Sequence, residues 1–260
     1  MIKHLFLYVT LLLACVNVQA QTDWLRLASG LLKAGQAATI TDEDLAETVR
    51  EAVAQMDKTN KVASASNAYA KRLKRLTRGM TSADGIKLNF KVYITSEANA
   101  FACPDGSVRV FSGLMDMLDD NELLGVIGHE IGHVALRHSK KAWRSALLRS
   151  AASDVIGSRS STWAAVSDSF LGDISSVALS AKHSCFHESQ ADDYGYDFLK
   201  LSGKNPWAMG LAFKKLKKMS EDKSSKKVAK LLEAFSSHPD FDSRIQHMRD
   251  RARSDGFVTN

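Results

Sequence analysis

Residues 125 to 138 read "GVIGHEIGHVALRH". His129 and His133 stand four apart, and Glu130 follows the first. Residues four apart share one face of an α-helix, roughly 5–6 Å apart at Cβ, so two imidazoles there can converge on one ion at about 2 Å. Glu130 is turned by about 100° from that face. It is badly placed as a ligand and well placed to hydrogen-bond a water on the ion, which is the logic of the HExxH pattern. Two plainer readings compete: chance, which yields the pattern in about one chain in a hundred of this composition, and a core helix with satisfied histidines.

The surrounding helix argues against both. Leu124, Ile127, Ile131 and Val134 form one apolar stripe, while Gly125, Gly128 and Gly132 form another beside the histidines. Each helical glycine costs about 1 kcal/mol relative to alanine, so the glycine stripe predicts that a second backbone approaches closely. "CFHESQADDYGYDFL" offers that neighbour, because Glu188 and Asp192 share a helical face with Ala191 and Gly195 beside them. Glu188 would complete a two-His, one-Glu set whose fourth position stays open for water. Asp192 would accept the free N–H of a ligand histidine and fix its tautomer. The plainer reading makes both ordinary solvent-facing acids. The longer pattern HExxHxxGxxH is excluded, since Leu136 and Ser139 stand where it needs glycine and histidine. His138 fits neither spacing and reads as a surface or structural histidine.

The elements that must carry these groups are legible in outline. "TDEDLAETVREAVAQM" predicts a helix with Thr41 as its cap, and "SNAYAKRLKRLTRGM" a second. Ile86, Leu88, Phe90, Val92 and Ile94 alternate as in a strand. "NAFACPDGSVRVFSG" predicts two short strands around a Pro104-Asp105-Gly106 turn. Helices follow at about 120–138, across 140–183 with Ser and Gly breaks, at 187–201, from Asn205-Pro206 onward, and over "HPDFDSRIQHMRDRAR". The expected class is α+β: a small antiparallel sheet beside a mostly helical body.

The N-terminus reads as a targeting segment, with Lys3 and His4, the apolar run "LFLYVTLLLACV" and the small-residue site "VQA". Residues 1–20 are expected to be a signal peptide, with 21–260 a single domain whose N-terminal helices occupy 24–80. "LLAC" at Cys15 competes as a lipoprotein signal. The composition, 45% apolar and 25% charged with three prolines, excludes wholesale disorder. The net charge is +6, and its clusters "KRLKR" and "KKLKK" spread over helical faces, the pattern of a solvated surface rather than a nucleic-acid site. Contact with anionic lipid stays open. Cys103 and Cys185 form an even pair that a disulfide could join, or two separate thiols.

"GHEIGHVALRH", "ESQADDYGYDFL" and "SSHPDFDSRI" together resemble the signature blocks of the HtpX/CAAX-prenyl-endopeptidase type of gluzincin metallopeptidases. The resemblance spans roughly residues 40–255 and is strongest to the soluble bacterial envelope members. It implies a zincin-like fold and one Zn2+ per chain on His129, His133 and Glu188, with Glu130 in catalysis. It matches Asp192 to an acidic residue four past the third ligand, and His238 and Arg244 to a late block lying near the metal. The chain departs from the pattern at His187, where the family often has arginine, and in its lipobox. The implied function is an exported, periplasmic endopeptidase acting on unfolded or flexible envelope polypeptides in quality control, with outer-membrane association through lipid or a partner protein and no nucleic-acid role. His238 is then the candidate oxyanion donor, or a resting fourth ligand, or simply a helix-start histidine. A strand at "NAFAC" would offer an edge to substrate, and a Cys103–Cys185 bond would staple sheet to helix pair. The competing class is a non-catalytic zinc-dependent chaperone or scaffold; a latent protease awaiting a partner is the third.

Overall fold

The computed structural model describes residues 41–145, 183–221 and 240–259. The readings for the N-terminal segment with Cys15, for 146–182 and for His238 lie outside these residues. The described residues begin with α1 (Asp42–Thr59) and α2 (Ala68–Leu76). Asn67 caps α2, its side chain accepting from the backbone N–H of Tyr69 at 2.9 Å. A two-stranded antiparallel hairpin, β1 (Ser82–Ala83) with β2 (Ile86–Lys87), leads into β3 (Asn89–Tyr93), β4 (Ala100–Ala102) and β5 (Ser107–Phe111). After α3 (Ser112–Met117) come α4 (Asp120–Ala135), α5 (Cys185–Leu201), α6 (Ala208–Glu221) and α7 (Phe241–Ser254). The expected α+β class with a mostly helical body holds.

The sheet is not the all-antiparallel one expected. Its order is β3-β5-β4: β4 and β5 form the antiparallel hairpin, but β3 runs parallel to β5, with Asn89 opposite Ser107 and Tyr93 opposite Phe111. The hairpin was readable because Gly106, at φ +84°, supplies the left-handed residue its turn requires. Strand alternation carries no information about direction, and the parallel pairing is made when β5 inserts between β3 and β4.

Asp57 pins α1 to this sheet. Its carboxylate accepts two bonds from Arg109, from Nε at 2.9 Å and a terminal guanidinium nitrogen at 3.0 Å, plus one from Lys91 Nζ at 2.7 Å and one from the Tyr93 hydroxyl at 2.8 Å. Arg109 is buried, so its charge depends on this partner. Burial alone would raise the Asp57 carboxyl; the Arg109, Lys91 and Tyr93 donors outweigh it and hold the group below its ordinary range.

The main core lies around α4. Leu123, Leu124, Ile127, Ile131 and Val134 are all buried, joined by Val108 and Val110 of the sheet and by Met209, Ala212 and Phe213 of α6. α4 packs on β4, on α6 and most extensively on α5.

Candidate metal centre

α4 is started by a capping box: the Asp119 side chain accepts from the Asn121 and Glu122 N–H groups, and Glu122 Oε2 accepts from the Asp119 N–H at 2.8 Å. Lys215 of α6 donates to the same Glu122 oxygen at 2.6 Å, tying the helix start to its neighbour. From there α4 and α5 approach backbone to backbone, as the glycine stripe predicts. A Cβ built on Gly195 would stand 2.9 Å from the backbone nitrogen of His129 and 3.1 Å from the carbonyl oxygen of Gly125. One built on Gly132 would stand 3.3 Å from Ala191 Cα. At Gly195 a side chain would force the two backbones apart, and at Gly132 it would leave its neighbours tighter than ordinary contact. The close approach sets His129 and His133 directly across from Glu188 and Asp192.

Three ligand atoms meet there, all on buried residues: one each from His129, His133 and Glu188, within 4.8 Å of one another. The two Nε2 atoms are 3.0 Å apart; Glu188 Oε1 is 3.3 Å from His133 Nε2, and Oε2 is 3.6 Å from His129 Nε2. A tetrahedral ion with arms of 2.0–2.1 Å spans about 3.3–3.4 Å between donors, so the set fits zinc in both chemistry and spacing. Burial pushes His133 well below its ordinary value, which keeps the imidazole neutral with a lone pair to give.

Asp192 and Arg244, both sequence candidates, complete this end of the site. Asp192 Oδ1 lies 2.8 Å from His129 Nδ1, which leaves Nε2 as the nitrogen facing the other ligands. Arg244 grips the same carboxylate with two bonds of 2.7 Å, one to each oxygen, and reaches 3.2 Å from Glu188 Oε2. Asp240 makes this reach possible: it sits at φ 65° and caps α7 through the Ser243 N–H, which puts Arg244 on the helix's first turn. The guanidinium lies over the Phe213 ring at 4.2 Å from its centroid. Burial would raise the Asp192 carboxyl, but Arg244 and then His129 outweigh it and hold the group ionised below its ordinary value.

Residues 64–252 match peptidase family M48. The chain is 40% identical to the metalloprotease YcaL of Escherichia coli strain K12 over 94% of its own length and 93% of that protein's. It is 36% identical to the metalloprotease LoiP of the same organism, over 95% and 94%. It is also 31% identical to the β-barrel assembly-enhancing protease of Yersinia pestis over 67% of this chain and 37% of that protein. The chain belongs to peptidase family M48. This M48 peptidase is a zinc metalloendopeptidase, and the family agrees with the resemblance read from the three sequence blocks.

Glu130 is buried and, with His129, Arg244, Ala100 of β4 and Phe213, lines a cavity of about 20 Å³, the room of roughly one water. β4 is the edge of the sheet nearest the centre, as the "NAFAC" reading expected.

Of the two readings of His138, surface or structural, the geometry selects the structural one: it is 2% exposed, and its Nδ1 lies 3.2 Å from His133 Nδ1 while its Nε2 lies 3.1 Å from Gln190 Oε1. His183 stacks on His133 with ring centroids 3.9 Å apart, and His187 stacks on His138 at 4.2 Å. Gln190 and His183 were not singled out from the sequence, and His187 only as a departure from the family pattern. The one signal available was that "HSCFHESQ" leads directly into the predicted third ligand.

The proposed staple is also corrected. Cys103 and Cys185 are both free thiols, Cys103 buried beyond the end of β4 and Cys185 exposed at the start of α5. Burial pushes the Cys103 thiol well up, away from reactivity.

Proposed function

We propose that this M48 peptidase is exported and hydrolyses peptide bonds in unfolded or flexible envelope polypeptides, as part of protein quality control, using one zinc ion per chain held by His129, His133 and Glu188. The observation that carries the reading is the convergence of those three donors, with Nε2 to Nε2 at 3.0 Å and the carboxylate at 3.3 and 3.6 Å. Zinc, when bound, lowers the pKa of a coordinated water towards neutrality and polarises the scissile carbonyl. Glu130 takes up the water's proton and returns it to the leaving amine. Asp192, locked by Arg244, receives the His129 Nδ1–H and fixes that ring's tautomer. His238 is assigned from its sequence block as the donor to the oxyanion.

Substrate choice follows from the edge position of β4. A strand edge pairs with extended backbone and asks little of the side chains, so unfolded segments suit it and folded domains do not. The basic start, apolar run and "VQA" site support export to the periplasm. Among the described residues no helix is long and apolar enough to cross a membrane. Association with the outer membrane, through lipid at Cys15 or through a partner protein, belongs to the same proposal, and one relative is a β-barrel assembly-enhancing protease.

The test is casein cleavage by wild type and Glu130→Gln, with zinc content measured for both. We expect unchanged zinc near one per chain and a loss of turnover of roughly 10²–10⁴-fold. Equal turnover would remove Glu130 from the mechanism.

A further inference from the structure

Two ligand histidines present Nε2 to the same point, and each must therefore carry its proton on Nδ1. For His129 the acceptor of that proton is Asp192, at 2.8 Å. For His133 the contact recorded at Nδ1 among the described residues is not a carboxylate. The nitrogen behind it belongs to another histidine: His138 Nδ1, at 3.2 Å. A neutral imidazole is donor at one nitrogen and acceptor at the other, so His138 can accept from His133 only if its own proton sits on Nε2. That Nε2 faces Gln190 Oε1 at 3.1 Å, an oxygen that can only accept. The three contacts are mutually consistent in one arrangement alone. Gln190 accepts from His138 Nε2–H, His138 Nδ1 accepts from His133 Nδ1–H, and His133 Nε2 keeps its lone pair. A doubly protonated His138 would set two N–H groups against each other at 3.2 Å.

The chain is shaped to bring this about. In an unbroken helix residue 138 would lie about 140° around from residue 133, its ring turned away. Instead α4 ends at Ala135 with Leu136 as its C-cap, Arg137 takes a left-handed φ of 60°, and helical structure resumes at 138. The reversal carries the His138 ring back over His133. Arg137 is itself held by Asp84, its Nε donating to the carboxylate at 3.0 Å. His187 stacks on His138 with the ring planes 21° apart, which limits its rotation.

We infer that Gln190, acting through His138, sets which nitrogen of His133 carries the proton, and so holds His133 Nε2 open as a metal donor. Gln190 and His138 are positioning residues here; neither touches the ion or the substrate. The inference rests on the reading of His133 as a ligand through Nε2. Reversing the Gln190 amide would reverse the whole chain: an N–H donated to His138 Nε2 would put the His138 proton on Nδ1 and the His133 proton on Nε2, where it blocks the metal. Ion binding and the orientation of one glutamine amide are thereby linked.

The experiment is zinc affinity of the full chain by chelator competition, with fold monitored by circular dichroism, for wild type, Gln190→Met, Gln190→Glu, His138→Phe and His133→Asn. Loss of an outer partner of a ligand histidine weakens binding by roughly 10–100-fold. We expect that loss in Gln190→Met and His138→Phe, and wild-type affinity to within about threefold in Gln190→Glu, which keeps the acceptor. Equal losses in the Met and Glu variants would mean that shape, not the acceptor, matters, and would overturn the relay. Unchanged affinity in Gln190→Met, with His133→Asn crippled, would overturn the relay and leave the ligand reading intact. Tight binding by His133→Asn would overturn the ligand reading itself. Histidine ¹⁵N shifts of the zinc-loaded wild-type protein decide the matter without any variant. The relay requires the His138 proton on Nε2, and a proton on Nδ1 would end it.

Discussion

His129 Nδ1 lies 2.8 Å from Asp192 Oδ1, and both side chains are buried. Because Arg244 clasps both oxygens of that carboxylate at 2.7 Å, one acid does two tasks. It fixes the tautomer of a ligand histidine and neutralises a buried guanidinium. Removing it should therefore cost both affinity and stability. Asp192→Ala is expected to weaken zinc binding by roughly 10–100-fold and to destabilise the protein by about 1–3 kcal/mol, because Arg244 loses its two-pronged partner and keeps Glu188 at 3.2 Å. Asp192→Asn keeps an oxygen for His129 but loses the charge facing Arg244, so it should fall between wild type and alanine in both. Chelator competition and urea unfolding measure the two effects separately.

The contact between α4 and α5 sets the spacing of the ligands. Gly195→Ala would force a methyl to within 2.9 Å of both the His129 backbone nitrogen and Met209 Sδ; the methionine can move aside, but the backbone cannot. Overpacking of this kind costs about 1–3 kcal/mol, and relief comes only by parting the helices. Glu188 then moves away from His129 and His133. We expect a lower unfolding midpoint together with weaker zinc binding. A variant that loses stability but keeps full zinc affinity would show that the ligand spacing is set elsewhere.

The ligand set was legible because helical periodicity is rigid. A four-residue spacing fixes a shared face, so His129 with His133 and Glu188 with Asp192 could each be paired from sequence, and the glycines beside them showed which faces meet. Arg244 entered only through resemblance, since its approach depends on Asp240 adopting a left-handed conformation that aspartate does not announce. His138 was left between a surface and a structural role for a related reason. Five residues past His133 it lies off the metal face of any continuous helix, and the break that turns it back occurs at Arg137, with no glycine or proline to mark it. The parallel β3–β5 pairing was hidden because alternation gives the faces of a strand but not its direction. His238 lies outside the described residues.

Asp57 offers a pH-dependent test of how α1 is attached. Its carboxyl is held below the ordinary value by Arg109, Lys91 and Tyr93 against the cost of burial. A depressed acid contributes stability above its unfolded value, near 3.9, and loses it as the pH falls through the lower folded value. Asp57→Asn should therefore be less stable than wild type by at least about 2 kcal/mol at pH 7, a gap constant down to about pH 5. Below about pH 4 the gap should narrow, as the wild-type acid takes up its proton too. Urea midpoints of the two proteins across this range check the sign. A gap that widened on acidification would mean that the carboxylate is not what holds Arg109.

The two thiols should behave as unlike groups. Cys185 is exposed on the first turn of α5 and lines a cavity of about 170 Å³ with Glu188 and Arg244, whereas Cys103 is fully buried and its thiol is pushed well above the ordinary value. Only the thiolate reacts, so burial suppresses Cys103 twice, through access and through ionisation. A maleimide added to the unreduced native protein should label Cys185 at once and Cys103 only after denaturant, with peptide mapping to assign each site. Each turn of labelling at Cys103 then reports a global opening of the sheet and α4, so its rate should fall with added stability and rise in Gly195→Ala. Failure to label either residue without reductant would mean that the pair is bonded, and would restore the link between sheet and helix pair that the separate thiols deny.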